Sequence, residues 1–127
     1  MPDTPPQTAR VFKTGWFSKA ARKAGITDEE LCSAVSHVQR GQADDLGGGV
    51  YKKRLRKNQY RSLILSKTQR FWVFDYLFAK QDRANINDDE LVAFRDLAKA
   101  YALLTTMQMN QLLQNQDWTE ICNGNQA

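Results

Sequence analysis

The chain has 127 residues, of which 42% are hydrophobic and 25% charged, so it is expected to form one globular domain around its own core. Its single histidine and two cysteines, Cys32 and Cys122, supply too few ligands for a structural zinc site, so we expect no metal and two reduced, unpaired thiols. The sequence lacks both an apolar stretch of membrane-spanning length and the basic and apolar regions of a signal peptide, which predicts a cytoplasmic protein without membrane contacts.

The net charge of +4 is unevenly distributed along the chain. Eight basic residues and no acidic residue lie between Val50 and Arg70, whereas the rest of the chain has ten basic and fourteen acidic residues. Such segregation creates a local positive field that suits a polyanion such as nucleic acid. The alternative is a solvated basic strand that protects a sheet edge from aggregation. Charge alone does not separate these two interpretations.

The N-terminal part predicts a tail, a strand and two helices. Residues 1–8 contain all three prolines and are predicted to be a disordered tail, which leaves residues 9–123 as the domain. Arg10–Thr14 alternates between polar and apolar residues and predicts a first strand. An apolar stripe over Trp16–Ala24 predicts a first helix, and Thr27 opens a second helix with a capping-box pattern.

The centre of the chain predicts antiparallel strands. Gly47–Gly49 favours a sharp turn into the first of them, and the breaks at residues 57–59 and 67–69 are too short for parallel crossovers. Alternating residues of each strand should share a face: Lys52, Arg54 and Arg56 in the first, Arg61, Leu63 and Leu65 in the second, and Trp72, Phe74, Tyr76 and Phe78 in the third. We expect helices to cover one face of this sheet and the other face to present the cations.

The C-terminal part predicts two more helices, which begin at capping residues Asn87 and Thr105, and a last strand over residues 118–122. The sequence therefore predicts an α+β fold in which a small antiparallel sheet of about four strands is flanked by two N-terminal and two C-terminal helices.

The usual catalytic patterns are missing: we find no nucleophile elbow, no metal-ligand cluster and no dinucleotide fingerprint. The remaining arginines, lysines and tyrosines suit one reaction, the attack of an RNA 2′-hydroxyl on its own adjacent phosphate. RNA brings the nucleophile, and fixed guanidinium groups stabilise the charge that develops on the phosphate. A lysine or tyrosine among like charges has a lowered pKa that favours proton transfer, and aromatic rings can stack on splayed bases.

From Ala9 to Cys122 the sequence resembles the RelE/ParE superfamily of toxins from bacterial type II toxin–antitoxin systems, and most closely its HigB-type RelE branch. The resemblance is carried by four segments in this order: Val11–Thr14 with Trp16-Phe17, Leu46–Arg54, Tyr60–Ile64, and Phe78–Ile86 followed by Asp88–Leu91.

The resemblance implies a ribosome-dependent endoribonuclease that cuts mRNA without a metal or cofactor and so inhibits translation. It also implies a cognate antitoxin, which in this branch carries a helix-turn-helix domain, so that operator DNA is contacted only through the antitoxin. Two alternatives remain open. A ParE-like toxin would poison DNA gyrase by binding, and a plain basic nucleic-acid-binding module would not be toxic.

By the same resemblance, Arg61 and Arg83 would stabilise the transition state, and Lys80 would assist proton transfer or bind the backbone. The implied RNA-binding residues are Lys52, Lys53, Arg54, Arg56 and Lys57. As alternatives, Arg61 could pair with Asp75 across its hairpin, and Arg83 could pair with Asp82 or the acidic start of the third helix. The C-terminal catalytic Tyr or His of some relatives has no clear equivalent in this chain.

Overall fold

The computed structural model of the protein describes residues 9–122, so the predicted tail over residues 1–8 and the C-terminal residues 123–127 lie outside the described part. Six strands and four helices follow one another: β1 (Arg10–Thr14), α1 (Gly15–Ala24), α2 (Asp28–Gln39), β2 (Asp44–Asp45), β3 (Val50–Leu55), β4 (Tyr60–Leu65), β5 (Phe71–Ala79), α3 (Asp88–Ala102), α4 (Thr106–Gln114) and β6 (Trp118–Ile121).

The strands form one sheet in the order β2-β3-β4-β5-β1-β6. The predicted α+β class is confirmed, but the sheet has six strands rather than about four, and β1 lies parallel to β5. A parallel pair needs a long connection, and the chain between β1 and β5 supplies it. The first strand therefore lies inside the sheet, between β5 and the last strand β6.

The helices begin where the sequence predicts. Thr27, Asn87 and Thr105 are the N-cap residues of α2, α3 and α4, and each forms a reciprocal capping box with the residue three positions on. Gly25 ends α1 with a left-handed φ of 74°. Within residues 9–122, no helix has the length and apolar character needed to cross a membrane.

Helices cover both faces of the sheet, so the prediction that they cover only one is wrong. On one face, α1 and α2 pack Phe17, Leu31 and neighbouring residues against β4 and β5 in the largest apolar cluster. On the other face, α3 and α4 bury two smaller clusters, one around Ala98 and one around Met109. Two-sided cover agrees with the apolar residues on both faces of β4 and β5.

A β-bulge in β5 separates aromatic residues that alternation places on one face. Leu63 pairs with Tyr76 and Ile64 with Phe74, which leaves Asp75 as an extra residue in β5. Phe74, like Trp72, packs in the cluster under α1 and α2, whereas Tyr76 packs in the cluster under α3. The predicted single-face aromatic row is therefore wrong, because the bulge reverses the alternation after Phe74.

The two cysteines form a disulfide, so the prediction of unpaired, reduced thiols is wrong. Cys32 lies in α2 and Cys122 follows β6, and their Cα atoms are 5.5 Å apart despite a sequence separation of 90 residues. The pairing of β6 with β1 brings Cys122 beside α2. Spacing along the sequence carries no signal of this contact.

Candidate nucleic-acid interface

Two arginines face each other across the β3–β4 hairpin without an acidic partner. Arg54 pairs in register with Arg61, and Arg61 is only 8% exposed. The Arg61 Nη1 atom donates to the Asn58 carbonyl at 2.7 Å, while its buried Nε atom has no hydrogen-bond partner. Among the described residues, no carboxylate forms a salt bridge with either arginine. Opposed like charges destabilise a strand pair, and a buried unpaired charge destabilises more, so the arrangement suits a bound anion.

The alternative pairing of Arg61 with Asp75 is not formed. Asp75 instead accepts a hydrogen bond of 2.7 Å from the Tyr101 hydroxyl of α3. Burial raises the pKa of this carboxyl, and the Tyr101 hydrogen bond opposes that rise. Asp75 is thus hydrogen-bonded to α3 and forms no salt bridge with Arg61.

The turn that precedes Arg61 is strained. Arg56, Lys57 and Asn58 have φ angles of 55°, 54° and 76°, in the left-handed region that Asn tolerates but that is unfavourable for Arg and Lys. The Arg61 side chain donates to Asn58 and so anchors the last of these three residues. Such strain persists where surrounding contacts impose it, and it concentrates at functional sites.

Arg83 lies on the same face of the sheet, at the start of the connection to α3. Its guanidinium donates to both carboxylate oxygens of Glu90, at 2.5 and 3.0 Å, and to the Tyr76 hydroxyl at 3.3 Å. The hydrogen bonds to Glu90 are the main cause of its raised pKa. The alternative in which Arg83 pairs with the start of α3 is therefore formed. Arg83 also lies over the Phe78 ring, 5.6 Å from its centroid, and Phe78 is the register partner of Arg61.

Lys52 links the Arg54–Arg61 pair to Arg83 through Asn85. Its Nζ atom lies 3.4 Å from the Asn85 side-chain oxygen and 3.8 Å from Asp44, while the Asn85 carbonyl accepts from Arg83 at 3.1 Å. The structure thus brings four of the predicted residues together on the face covered by α3. We call Lys52, Arg54, Arg61 and Arg83 the cationic cluster.

Two other predicted residues lie on the opposite side, towards α2. The Lys53 Nζ atom is 3.4 Å from the Gln42 carbonyl, and Arg56 forms two hydrogen bonds with the Glu30 carboxylate. The prediction that Arg56 shares a face with Lys52 and Arg54 is wrong, because the left-handed turn begins at Arg56 and ends the strand alternation. RNA contact by Lys53 and Arg56 remains a prediction.

The Arg56–Glu30 pair predicts a dependence of stability on pH. Hydrogen bonds from Arg56, with help from the Thr27 amide, lower the pKa of Glu30 from 4.5 to about 2. Because folding lowers this pKa, the stabilising effect is complete above about pH 4.5 and is lost as the pH falls towards 2. We expect Arg56→Gln to have a lower Tm than wild type at neutral pH. The difference in Tm should shrink below pH 4.5. Lys99→Gln, on the exposed side of α3, should show no such convergence, and a constant Arg56→Gln difference down to pH 2 would contradict the assignment.

The remaining predicted residues lie at the end of the hairpin. Lys57 and Lys80 line a cleft of about 530 Å³ together with Asn58, Tyr60 and Gln81. A second cleft of about 410 Å³ shares Tyr60 and Gln81 with the first and extends to Arg83. Lys80 is exposed, and its role in proton transfer or RNA binding remains a prediction.

Sequence reasoning missed two contributors to this site. Alternation groups Tyr76 with Trp72 and Phe74, and the bulge that moves Tyr76 to the other face has no sequence signal. Trp16 is assigned no role from the sequence. Its position outside the apolar stripe of α1 is the signal that could have identified it. Its ring stacks on Tyr76 with centroids 5.1 Å apart. Across residues 9–122, no group of three or more His, Cys, Asp and Glu side chains is arranged to hold a metal ion.

Comparison with known proteins gives one finding. The family model described as the RelE toxin of the RelE/RelB toxin–antitoxin system matches residues 9–121. A search of the curated proteins finds no match.

Proposed function

Because the chain belongs to the RelE toxin family, we propose that this toxin is a ribosome-dependent endoribonuclease that cuts mRNA and so inhibits translation. The observation that carries the proposal is the unneutralised Arg54–Arg61 pair, which shares a face of the sheet with Arg83. A phosphodiester supplies the negative charge that these groups lack, and aromatic rings beside them suit unstacked bases.

The chemistry follows from what RNA contributes. The 2′-hydroxyl gives up its proton to solvent as its oxygen attacks the adjacent phosphorus, the bond from phosphorus to the 5′-oxygen breaks, and a 2′,3′-cyclic phosphate and a 5′-hydroxyl result. Arg54 and Arg61 would bind the non-bridging oxygens, which gain charge in the transition state, and Arg83 would bind the phosphate from the α3 side. Lys80, at the adjoining cleft, is the candidate to deliver the proton that the 5′-oxygen requires.

The proposal includes the partners that such a toxin requires. Lys52, Lys53, Arg56 and Lys57 would contact the RNA backbone around the cleaved position. The antitoxin would carry a helix-turn-helix domain, as in the HigB-type branch, and operator DNA would be bound only through it. A ribosomal substrate would place the protein in the cytoplasm.

The test is to induce the protein in a bacterial host without its antitoxin and to map transcript ends. We expect new ends within reading frames, and we expect them to disappear from a message whose start codon has been removed. Intact transcripts with a DNA-damage response would instead indicate a gyrase poison, and unaffected growth would indicate a non-toxic binding module. Either result would overturn the proposal.

A further inference from the structure

Trp16 is an exposed aromatic residue beside the cationic cluster. It is 53% exposed, whereas the other two tryptophans, Trp72 and Trp118, are 2% and 3% exposed. One side of its indole is stacked on Tyr76, with an interplanar angle of 26°, and Tyr76 in turn contacts Arg83. A tryptophan ring held in this way offers a rigid flat surface that loses little conformational freedom when a ligand binds.

The helix that carries Trp16 has only positive charges. Lys19, Arg22 and Lys23 are exposed, α1 contains no acidic residue, and no salt bridge among residues 9–122 involves these three cations. Lys19 and Lys23 lie three and seven positions after Trp16, on the same side of the helix. They line a cleft of about 520 Å³ together with Trp16 and Arg22.

This surface is continuous with the candidate site. Trp16 and Lys23 also line the cleft of about 410 Å³ that contains Tyr76 and Arg83. A chain that binds the cationic cluster and leaves past Arg83 would therefore meet the indole and then the lysines. Alternation of a flat ring with unpaired cations matches the alternation of bases and phosphates along a single strand.

We infer that Trp16, Lys19 and Lys23 form a subsite for a nucleotide next to the cleaved position of single-stranded RNA. The base stacks on the open side of the Trp16 ring, and the two lysines bind the flanking phosphate. The inference rests on the proposed function, because it requires RNA to occupy the neighbouring cationic cluster.

The test uses the full chain and a single-stranded RNA of twelve nucleotides with 2′-O-methyl groups throughout, which cannot be cut by 2′-hydroxyl attack. In wild type we expect this probe to quench tryptophan fluorescence, and the signal reports on Trp16 because the other two tryptophans are buried.

The affinities of the variants are measured by the anisotropy of labelled probe. Trp16→Ala should bind roughly 10- to 100-fold more weakly, whereas Trp16→Phe, which retains a ring, should stay within a few-fold of wild type. Lys19→Gln combined with Lys23→Gln should weaken binding and reduce the salt slope by about 0.7, because the two lysines together neutralise one phosphate. Lys99→Gln on α3 is the matched control and should bind like wild type.

Three results would overturn the subsite: probe binding without quenching, wild-type affinity of Trp16→Ala, and absence of probe binding at low salt. If Trp16→Ala instead weakened only neutralisation by the antitoxin, the surface would be a protein contact and the inference would be wrong. Thermal unfolding of Trp16→Ala separates lost binding from lost folding. The binding assay contains no ribosome and no cleavage, so a subsite that binds RNA in a protein that leaves transcripts intact would disprove only the proposed function.

Discussion

Replacing Arg61 with methionine is expected to lower the rate of cleavage on programmed ribosomes by about 100- to 1000-fold, the range seen when one transition-state hydrogen-bond donor is removed. Methionine retains the apolar part of the side chain, so the packing around this buried position is largely preserved. The guanidinium that disappears is the one that lies opposite Arg54 without a carboxylate partner. The measurement is single-turnover cleavage of a message in the ribosomal A site.

Stability distinguishes a functional arginine from a structural one at this position. Because Arg61 is buried beside a like charge, its removal should leave the free energy of unfolding unchanged or raise it, even though the hydrogen bond to Asn58 is lost. Arg61→Lys should recover only part of the rate, since an ammonium group cannot bind phosphate with two parallel hydrogen bonds. Arg70→Met, in the exposed β4–β5 turn, is the control and should cut normally. Full activity of Arg61→Met, or its unfolding at the assay temperature, would contradict this role.

Arg83 requires a different comparison because it has an acidic partner. Arg83→Ala should also slow cleavage, but it removes the ion pair with Glu90 and thereby a structural contact. Glu90→Gln breaks the same ion pair and leaves the guanidinium in place, although it also weakens the capping box at Asn87. If both variants lose equal activity in proportion to lost stability, Arg83 has a structural role only.

Removal of the disulfide is expected to lower the free energy of unfolding by about 4–5 kcal/mol, because the bond closes a loop of 90 residues and restricts the unfolded chain. In a domain of this size such a loss corresponds to a fall in Tm of roughly 10–20 °C. The experiment compares oxidised wild type with Cys32→Ser/Cys122→Ser by chemical and thermal unfolding. Thiol labelling of the unfolded protein verifies the oxidation state.

Reduced wild type is the matched control for this prediction. It retains both sulfur atoms and loses only the cross-link, so it should be destabilised nearly as much as the double serine variant. Because Cys32 and Cys122 link α2 to the end of β6, the cleavage rate well below the Tm should be unchanged in both. Equal stability of the oxidised and reduced proteins would show that the cross-link does not contribute to folding.

Local features of this fold could be read from the sequence because they depend on residues a few positions apart. The capping boxes at Thr27, Asn87 and Thr105 exchange hydrogen bonds within one helical turn, and all three helices begin there. The hairpins follow from short breaks between alternating runs. The basic residues of β3 and β4 identified the candidate site for the same reason, since strand alternation placed Lys52 and Arg54 on one side and Arg61 beside Leu63.

Tertiary structure decided what depends on distant residues. The bulge at Asp75 reverses the face of Tyr76, the β1–β5 pair is parallel, Glu30 takes Arg56 away from the cationic cluster, and Cys32 meets Cys122. None of these contacts has a periodicity that the sequence could display. They arise when strands pair and helices pack over them, so hydrogen bonding and close packing select the partners.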